Sequence, residues 1–441
     1  MIYNITNYGA VADGVTNNST AIQKAIDECT AAGGGIVLIP SGQYMSGTLR
    51  LKSNVELHLE MGAVLISSIR EEDIINYTAD FETNTNDSGW EGGCFLCAFH
   101  EKNITISGSG TIYGQGDKVF YDADNDNGYH ECPKCVNGLR PRTTFFEDVE
   151  NLRVTGITFK DAAFWTLHMA GCRRVMVDNI KILNDLRGPN NDGIDPDSCK
   201  DVVISNCIIE SGDDAIVVKN TLEMGKKYGP CENVIIRGCV LHSQDSALKI
   251  GTETYDAIRN IVLTDCIVKD CSRGVGIWVR DGATIENIQV HNITGSTRRY
   301  ADAFAEDGDP GWWGKGDPIF ISNTPRYKDS SGRTGIIRNV TFRDIDITCE
   351  AGILLRADKG CPIENIKLKD ITLTMKKIGT LDSGIFDEQP SVRNKYPHEV
   401  PALYAHGIKG LKISGLEVSK QKPYLKGWSE QESIIEDCGL L

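Results

Sequence analysis

The chain has 441 residues, more than one globular core usually fills, so it forms either two domains or one elongated architecture that grows by repetition. Its 61 acidic residues outweigh 46 basic ones for a formal charge of -15, with no Lys/Arg run, which argues against a nucleic-acid or anionic-membrane partner. No stretch reaches the ~18 apolar residues of a membrane span.

In chain order, the opening MIYNITNYGAVADG lacks the charged-then-apolar pattern of an export signal, and the protein is expected in the cytoplasm. Ser19 to Ala31, STAIQKAIDECTA, spaces Ile22, Ala25, Ile26 and Cys29 at helical intervals and runs into glycines at 33 to 35, which predicts an amphipathic helix. Cys94 and Cys97, with Cys132 and Cys135, have the format of a four-thiolate zinc site. Against that, CFLCAF reads as a strand, on which residues three apart face opposite ways. Other cysteines, such as Cys207, Cys239 and Cys266, fall at strand positions, as buried reduced thiols do. No cofactor or metal is expected.

From residue 102 a pattern recurs: KNITISG, then ENLRVTG (150), RRVMVDN (173), KDVVISN (200), ENVIIRG (232), RNIVLTD (259), ENIQVHN (286), RNVTFRD (338), ENIKLKD (364) and KGLKISG (409). Each is a polar pair, apolar residues at alternating positions, and a closing Gly, Asn or Asp. The period of two marks a strand with one buried face, and the closing residue suits a turn with φ > 0. The spacing, mostly 23 to 32 residues, is too long for a hairpin and too short for a strand-helix-strand unit. It fits one coil of a right-handed parallel β-helix with about three short strands per coil. The expected fold class is all-β: a single-domain solenoid over 1–441, with 1–65 as N-terminal cap and first coils and 406–441 as C-terminal coil and tail. Stacked coils lie ~4.8 Å apart, so equivalent residues form columns. The helix covers the open N-terminal edge, and the aperiodic intervals 113–145, 296–335 and 376–405 are expected as loops over one face that build the site.

NNDGIDPDS (190–198) is followed by SGDDAIVV (211–218). Aligning NDGID, DDAIV, DSALK (245–249) and GVGIW (274–278) puts Ile194, Ile216, Leu248 and Ile277 in one inward column and Asp192 beside Asp213 and Asp214. Carboxylates so placed repel, which raises at least one pKa and leaves a protonated acid near ionised bases. Such a set can protonate a leaving oxygen and activate water, the two tasks of glycoside hydrolysis. Two plainer readings compete: Asp-rich turns, because Asp tolerates αL, and a calcium site built of clustered oxygens.

Asn190-Asn191-Asp192-Gly193-Ile194-Asp195, followed by Gly212-Asp213-Asp214, resembles the signature of the polygalacturonase family of pectin-degrading enzymes, glycoside hydrolase family 28. The opening GAVADGVTNNSTAIQKAIDEC, GSGTIYGQG (108–116), RPR (140–142) and FWTLH (164–168) resemble the same family. The resemblance implies an inverting hydrolase with Asp213 as general acid and Asp192 and Asp214 positioning and deprotonating the water. The looped face and the family together suggest exo action on pectin-derived or related plant oligosaccharides. Two family grips are missing: Asp245-Ser246-Ala247 stands for G-H-G, and Gly276-Ile277-Trp278 for R-I-K, which holds the galacturonate carboxylate. Lys249, expected one coil before Trp278 in the same column, or Arg280 is expected to resupply the cation. Trp278, on an outward column, is expected as a sugar-stacking platform, with Trp312 and Trp313 as a wall. Trp165 and His168 are expected to line a subsite, with Asn190, Asp195, Lys219 and Asp245 contacting the sugar. The plainer alternatives are solvated charges for Lys249 and Arg280, a half-buried histidine for His168, and loop anchors for the paired tryptophans. A different sugar, a non-catalytic carbohydrate-binding β-helix and a calcium-dependent lyase remain as alternative functions.

Overall fold

The backbone at the two ends of each repeat segment sets the architecture. In the computed structural model, which describes residues 1–77, 93–122, 133–300, 315–328, 334–382 and 384–440, the closing residues all have positive φ. They run from Gly108 (112°), Gly156 (78°), Asn179 (53°) and Asn206 (56°) through Gly238 (63°), Asp265 (56°), Asn292 (55°) and Asp344 (54°) to Asp370 (50°) and Gly415 (65°). The second residue of the polar pair does the same, which alternation does not reveal: Asn103, Asn151, Asn233, Asn260, Asn287, Asn339 and Asn365 lie between 55° and 62°. Asn tolerates this region because its short amide finds a nearby partner. Here the partner is the next coil. Asn103 donates to Asn54 (2.8 Å) and Asn151 to Asn103 (2.9 Å). A second ladder runs from Asn365 through Asn339, Asn287 and Asn260 to Asn233 at 3.0 to 3.2 Å per step.

The described residues form two compact units, one before residue 213 and one from Asp213 onward. In the first, three parallel ladders make the faces of the coil. One stacks Gly35–Ile39, Val55–Leu59, Lys102–Gly108, Glu150–Thr155, Arg173–Asp178 and Lys200–Ser205. A second passes through Gly42–Ser46, Ala63–Ser67, Thr111–Tyr113, Thr158–Lys160, Lys181–Leu183 and Ile208–Ser211. The third stacks Leu49–Arg50, Cys94–Phe99, Arg142–Glu147, Phe164–Ala170 and Ile194–Asp197. Leu57, Ile106, Val154, Val177 and Ile204 pair in register and are fully buried, each contributing roughly 1.5–3 kcal/mol by leaving water.

The second unit repeats the scheme with longer strands. Cys231–Arg237, Ile258–Cys271, Thr284–Thr297, Ile336–Cys349, Ile363–Met375 and Ile408–Lys420 form one parallel ladder. Ile216–Asn220, Ser246–Thr254, Arg273–Val279, Asp317–Asn323, Ile353–Ala357, Leu403–His406 and Ser433–Glu436 form another. The fold is the expected right-handed parallel β-helix. The C-terminal segment is not a free tail, because Ser433–Glu436 and Gly439–Leu440 add to these ladders.

The helix Ser19–Ala31 buries Ile22, Ala25, Ile26 and Cys29, as its spacing predicts. One register expectation is corrected. Ile216 does pair with Leu248, but Leu248 pairs with Val275, and Ile277 pairs with Ile250. A slip of two residues keeps every side chain on its proper face, so alternation alone cannot detect it. The described cysteines carry no disulfide, and most are buried. Burial, then the Cys94 thiol, push the Cys97 thiol well above its ordinary value. Cys132 lies outside the described residues. Among the described residues no helix is long and apolar enough to cross a membrane.

Asn287→Ala removes two ladder bonds and places a Cβ without a local partner at φ 60°. It is expected to cost about 1–3 kcal/mol in denaturant unfolding, and Asn287→Gly clearly less. Equal losses would show that the left-handed backbone is not the constraint.

Candidate active site

In the first unit, amides build the turn that presents Asp192. Asn184 donates to Thr166 Oγ1 and to the Asn191 carbonyl, both at 2.8 Å, while its oxygen accepts the Ala162 N–H at 2.9 Å. Asn191 donates to the Asp185 carbonyl (2.8 Å) and accepts the Gly212 N–H (2.7 Å). Gly212 has to be glycine, since a Cβ there would lie 2.3 Å from the Gly188 carbonyl oxygen. The Asp192 carbonyl accepts the Thr166 N–H at 3.0 Å, and the residue is 3% exposed. Asn190 sits at φ 54° with its side-chain oxygen held by Arg140 (3.1 Å), which also holds the Pro189 carbonyl (2.9 Å).

His168 and Asp195 are register partners on adjacent coils. The His168 ring meets Trp165 edge-on at 4.7 Å and Phe145 at 5.0 Å, and its Nε2 lies 3.6 Å from Asp197. Trp165 stacks on Phe164 at 5.1 Å, with the Arg142 guanidinium 5.2 Å from its ring centre. His168 is thus fully buried rather than half-buried.

The second unit opens with Asp213 and Asp214. Ser243 donates to the Asp213 carbonyl (2.6 Å), and the Asp214 N–H donates to Asp213 Oδ1 (2.9 Å). From there a line of alternating charges runs inward. Asp214 Oδ2 is 2.8 Å from Lys249 Nζ, Lys249 is 3.4 Å from Asp245, and Asp245 is 2.5 Å from Arg273 Nη1. Arg273 also donates to the Asp387 carbonyl (3.1 Å) and lies 3.7 Å from Asp317.

The acidities follow from this geometry. Burial pushes the Asp214 carboxyl up to about 8, with Lys249 opposing and the Asp245 and Asp213 charges adding to the rise. Burial alone would also raise Asp245, but Lys249 and Arg273 overcome it and hold that carboxylate below its ordinary value. Lys249 is desolvated, yet Asp214, Asp245 and Asp213 keep it charged. Burial lifts Asp317 to about 6 against the pull of Arg273.

Several sequence expectations are redrawn here. Lys249 pairs with Gly276, not with Trp278. The Trp278 indole folds back over Gly276, where a Cβ would lie 2.0 Å from the ring. It stacks on Phe320 at 5.0 Å, with Lys249 5.4 Å and Arg273 5.1 Å from the ring centre. Trp278 is 0% exposed and is no open stacking platform, because Gly276, Phe320, Lys249 and Arg273 lie against its ring. Arg280 donates to the carbonyls of Pro390 (2.8 Å), Ser322 (3.0 Å) and Glu388 (2.9 Å). Burial lowers its pKa to about 9, so it is a clamp on the 388–390 segment rather than a free cation. Lys219 is buried and helps hold the Glu253 carboxylate below its ordinary value against burial. Trp312 and Trp313 lie outside the described residues. Sequence reading missed Arg273, Asn184 and Asn191, the first because the expected register set Ser246 against Val275 where the structure pairs it with Arg273.

A protein-family model described as glycosyl hydrolases family 28 matches residues 29–297. The chain belongs to this family and is a glycoside hydrolase. A probable polygalacturonase of Vitis vinifera is 24% identical over 94% of this chain and 85% of its own length. An exopolygalacturonase of Zea mays is 23% identical over 84% of this chain and 83% of its own. Among solved structures, an exopolygalacturonase from Thermotoga maritima matches with a TM-score of 0.68 at 22% identity, over 94% of this chain and 92% of that one. The family 28 exopolygalacturonase of Yersinia enterocolitica matches with 0.75 at 17% identity, over 99% and 77%. At these identities the structural likeness carries the fold.

Because the folded pKa of Asp214 is raised from 3.8 to about 8, its contribution to stability is full below pH ~4 and is lost as pH climbs through about 8. Asp214→Asn cannot ionise. It is expected to gain stability relative to wild type as pH rises across that range, read by unfolding at each pH. A difference that stays constant would show that Asp214 is not the residue holding the proton.

Proposed function

We propose that this family 28 hydrolase cleaves pectin-derived or related plant oligosaccharides from one end, with inversion at the anomeric carbon. Asp213 protonates the leaving oxygen with a proton that it shares with Asp214, and Asp192, with Asp214 once that proton has left, positions and deprotonates the attacking water. The observation that carries this reading is the Asp213–Asp214 pair. The Asp214 carboxyl is desolvated until it keeps a proton to about pH 8, the backbone N–H of Asp214 donates to Asp213 Oδ1, and a charged lysine stands 2.8 Å from Asp214 Oδ2. A proton retained at neutral pH beside carboxylates is what acid-assisted departure of a sugar needs. Asp192 supports the reading by its place in the coil: it stands two residues before the inward Ile194, as Asp214 stands two before Ile216. End-on action is supported by the relatives named exopolygalacturonases.

A second reading concerns the terminal sugar. Lys249 is committed to Asp214 and Asp245, and Arg280 to backbone carbonyls, so neither stands ready to grip a galacturonate carboxylate. That favours a terminal sugar other than galacturonate on the same catalytic residues. A panel of oligosaccharides separates the two.

Asp213→Asn is expected to lower kcat by a factor of about 10²–10⁴ on whichever oligosaccharide the wild type cleaves, with NMR showing the first-formed anomer inverted. Retention of configuration, or undiminished turnover by the variant, would overturn the mechanism. The alkaline limb of kcat/KM is expected near pH 8, set by the Asp213–Asp214 pair acting together. Since Lys249 lowers the Asp214 pKa, Lys249→Met is expected to move that limb to higher pH; a limb that stays in place would remove the pair from the titration.

A further inference from the structure

Asp245, expected from the sequence to contact the sugar, turns both carboxylate oxygens toward the protein. Its Oδ1 accepts from Arg273 Nη1 (2.5 Å) and the Ser246 hydroxyl (3.2 Å), its Oδ2 accepts from Lys249 Nζ (3.4 Å), and the residue is buried. Its backbone is tied to the acid pair. The Asp245 N–H donates to Ser243 Oγ (2.8 Å), which donates to the Asp213 carbonyl (2.6 Å), and the Ser246 N–H donates to Asp214 Oδ1 (3.3 Å).

Asp245 and Lys249 stand four residues apart in extended chain, so both point to one face. Opposite Lys249 lies Gly276, which offers no side chain, and the Trp278 ring folds into that space 5.4 Å from the ammonium. Under this apolar cover Lys249 pairs with two carboxylates, Asp214 at 2.8 Å and Asp245 at 3.4 Å. A cation shared by two acids stands where their pulls balance. Arg273 weights that balance. It is 1% exposed, donates through Nη2 to the Asp387 carbonyl (3.1 Å), has Nε 3.7 Å from Asp317, and lies 5.3 Å from the centre of the Phe320 ring. A planar guanidinium held on these sides cannot follow Asp245, so Asp245 comes to it.

We propose that Asp245 and Arg273 are positioning residues of the proposed hydrolysis: Arg273 draws Asp245 to itself, and Lys249 is thereby left standing at Asp214. The inference rests on that hydrolysis and deepens it, because the place of Lys249 decides how firmly Asp214 keeps its proton. Among the described residues of the second unit, the charged groups that act on Asp214 are Lys249, which favours its ionised form, and Asp245 and Asp213, which oppose it. Lys249 and Arg273 act on Asp245, and Asp387 and Asp317 act with Asp245 on Arg273.

Two variants push the lysine in opposite directions. Asp245→Asn removes a negative charge near Asp214 and leaves Lys249 to Asp214 alone, and both effects favour the ionised acid. Arg273→Lys keeps the charge, but one ammonium cannot hold both Asp245 and the Asp387 carbonyl, so Asp245 draws Lys249 off Asp214. The test follows kcat/KM against pH on an oligosaccharide that the wild type cleaves. Alongside it, a carboxyl NMR titration without substrate follows Asp214, whose signal is identified by its loss in Asp214→Asn. The alkaline limb and the Asp214 titration are both expected to fall by about one pH unit in Asp245→Asn and to rise in Arg273→Lys. The double variant is expected to titrate with Asp245→Asn, since the arginine then has no carboxylate at 245 to hold. The readout is a position on the pH axis, so a variant that turns over slowly still answers. An Asp214 titration that neither variant moves, or that both move the same way, would overturn the positioning roles even if hydrolysis stands. A titration that moves as expected while the limb of kcat/KM stays in place would keep the placement of Lys249 and remove Asp214 from the proposed reaction.

Discussion

A left-handed asparagine near the start of a repeat segment and a left-handed Gly, Asn or Asp at its end leave the strand between them little freedom to slide, and the amides of those asparagines tie one coil to the next. Parallel coils held this way stack like on like. Valines and isoleucines then meet across coils to make a dry core, and polar residues at one coil position meet polar residues at the same position in its neighbour. The chemistry of the protein depends on this stacking, because no single coil carries enough groups to make a site.

Stacking also forces charges together, and the second unit shows how the chain bears it. Burying Asp214, Asp245 and Asp317 costs several kcal/mol each unless cations lie within reach. Lys249 and Arg273 supply them, and the result is a graded series rather than uniform neutralisation. Asp245, between two cations, stays ionised, while Asp214, with one cation and two acidic neighbours, holds its proton. The contrast between these two carboxyls arises from counting neighbours at ~3 Å in a medium where each charge acts strongly. A set of carboxyls with separated acidities is the condition for one to give a proton while another takes one.

Much of this was legible in the sequence because strand alternation and left-handed turns are local. Ile22, Ala25, Ile26 and Cys29 fixed the helix, and every closing Gly, Asn or Asp marked a real corner. What escaped reading was long-range. A two-residue slip between Ser246–Thr254 and Arg273–Val279 conserves the pattern of faces, so it hid Arg273 as the partner of Asp245. Arg280 looked like a spare cation because nothing in its neighbourhood reveals that residues about 110 positions later bring their carbonyls to it. Asn184 and Asn191 sit in an aperiodic turn, where an amide that caps a backbone and one that meets a ligand read alike.

The central claim of the proposed hydrolysis is that Asp192 and Asp213 serve the same catalytic step. Its most direct test is a kinetic cycle of Asp192→Asn, Asp213→Asn and the double variant on one cleaved oligosaccharide. If the two act on the same bond, the double variant is expected to be about as slow as the slower single one, since losing either already breaks the step. Losses that multiply in the double variant would mean that the two carboxyls act independently, and the account would fail.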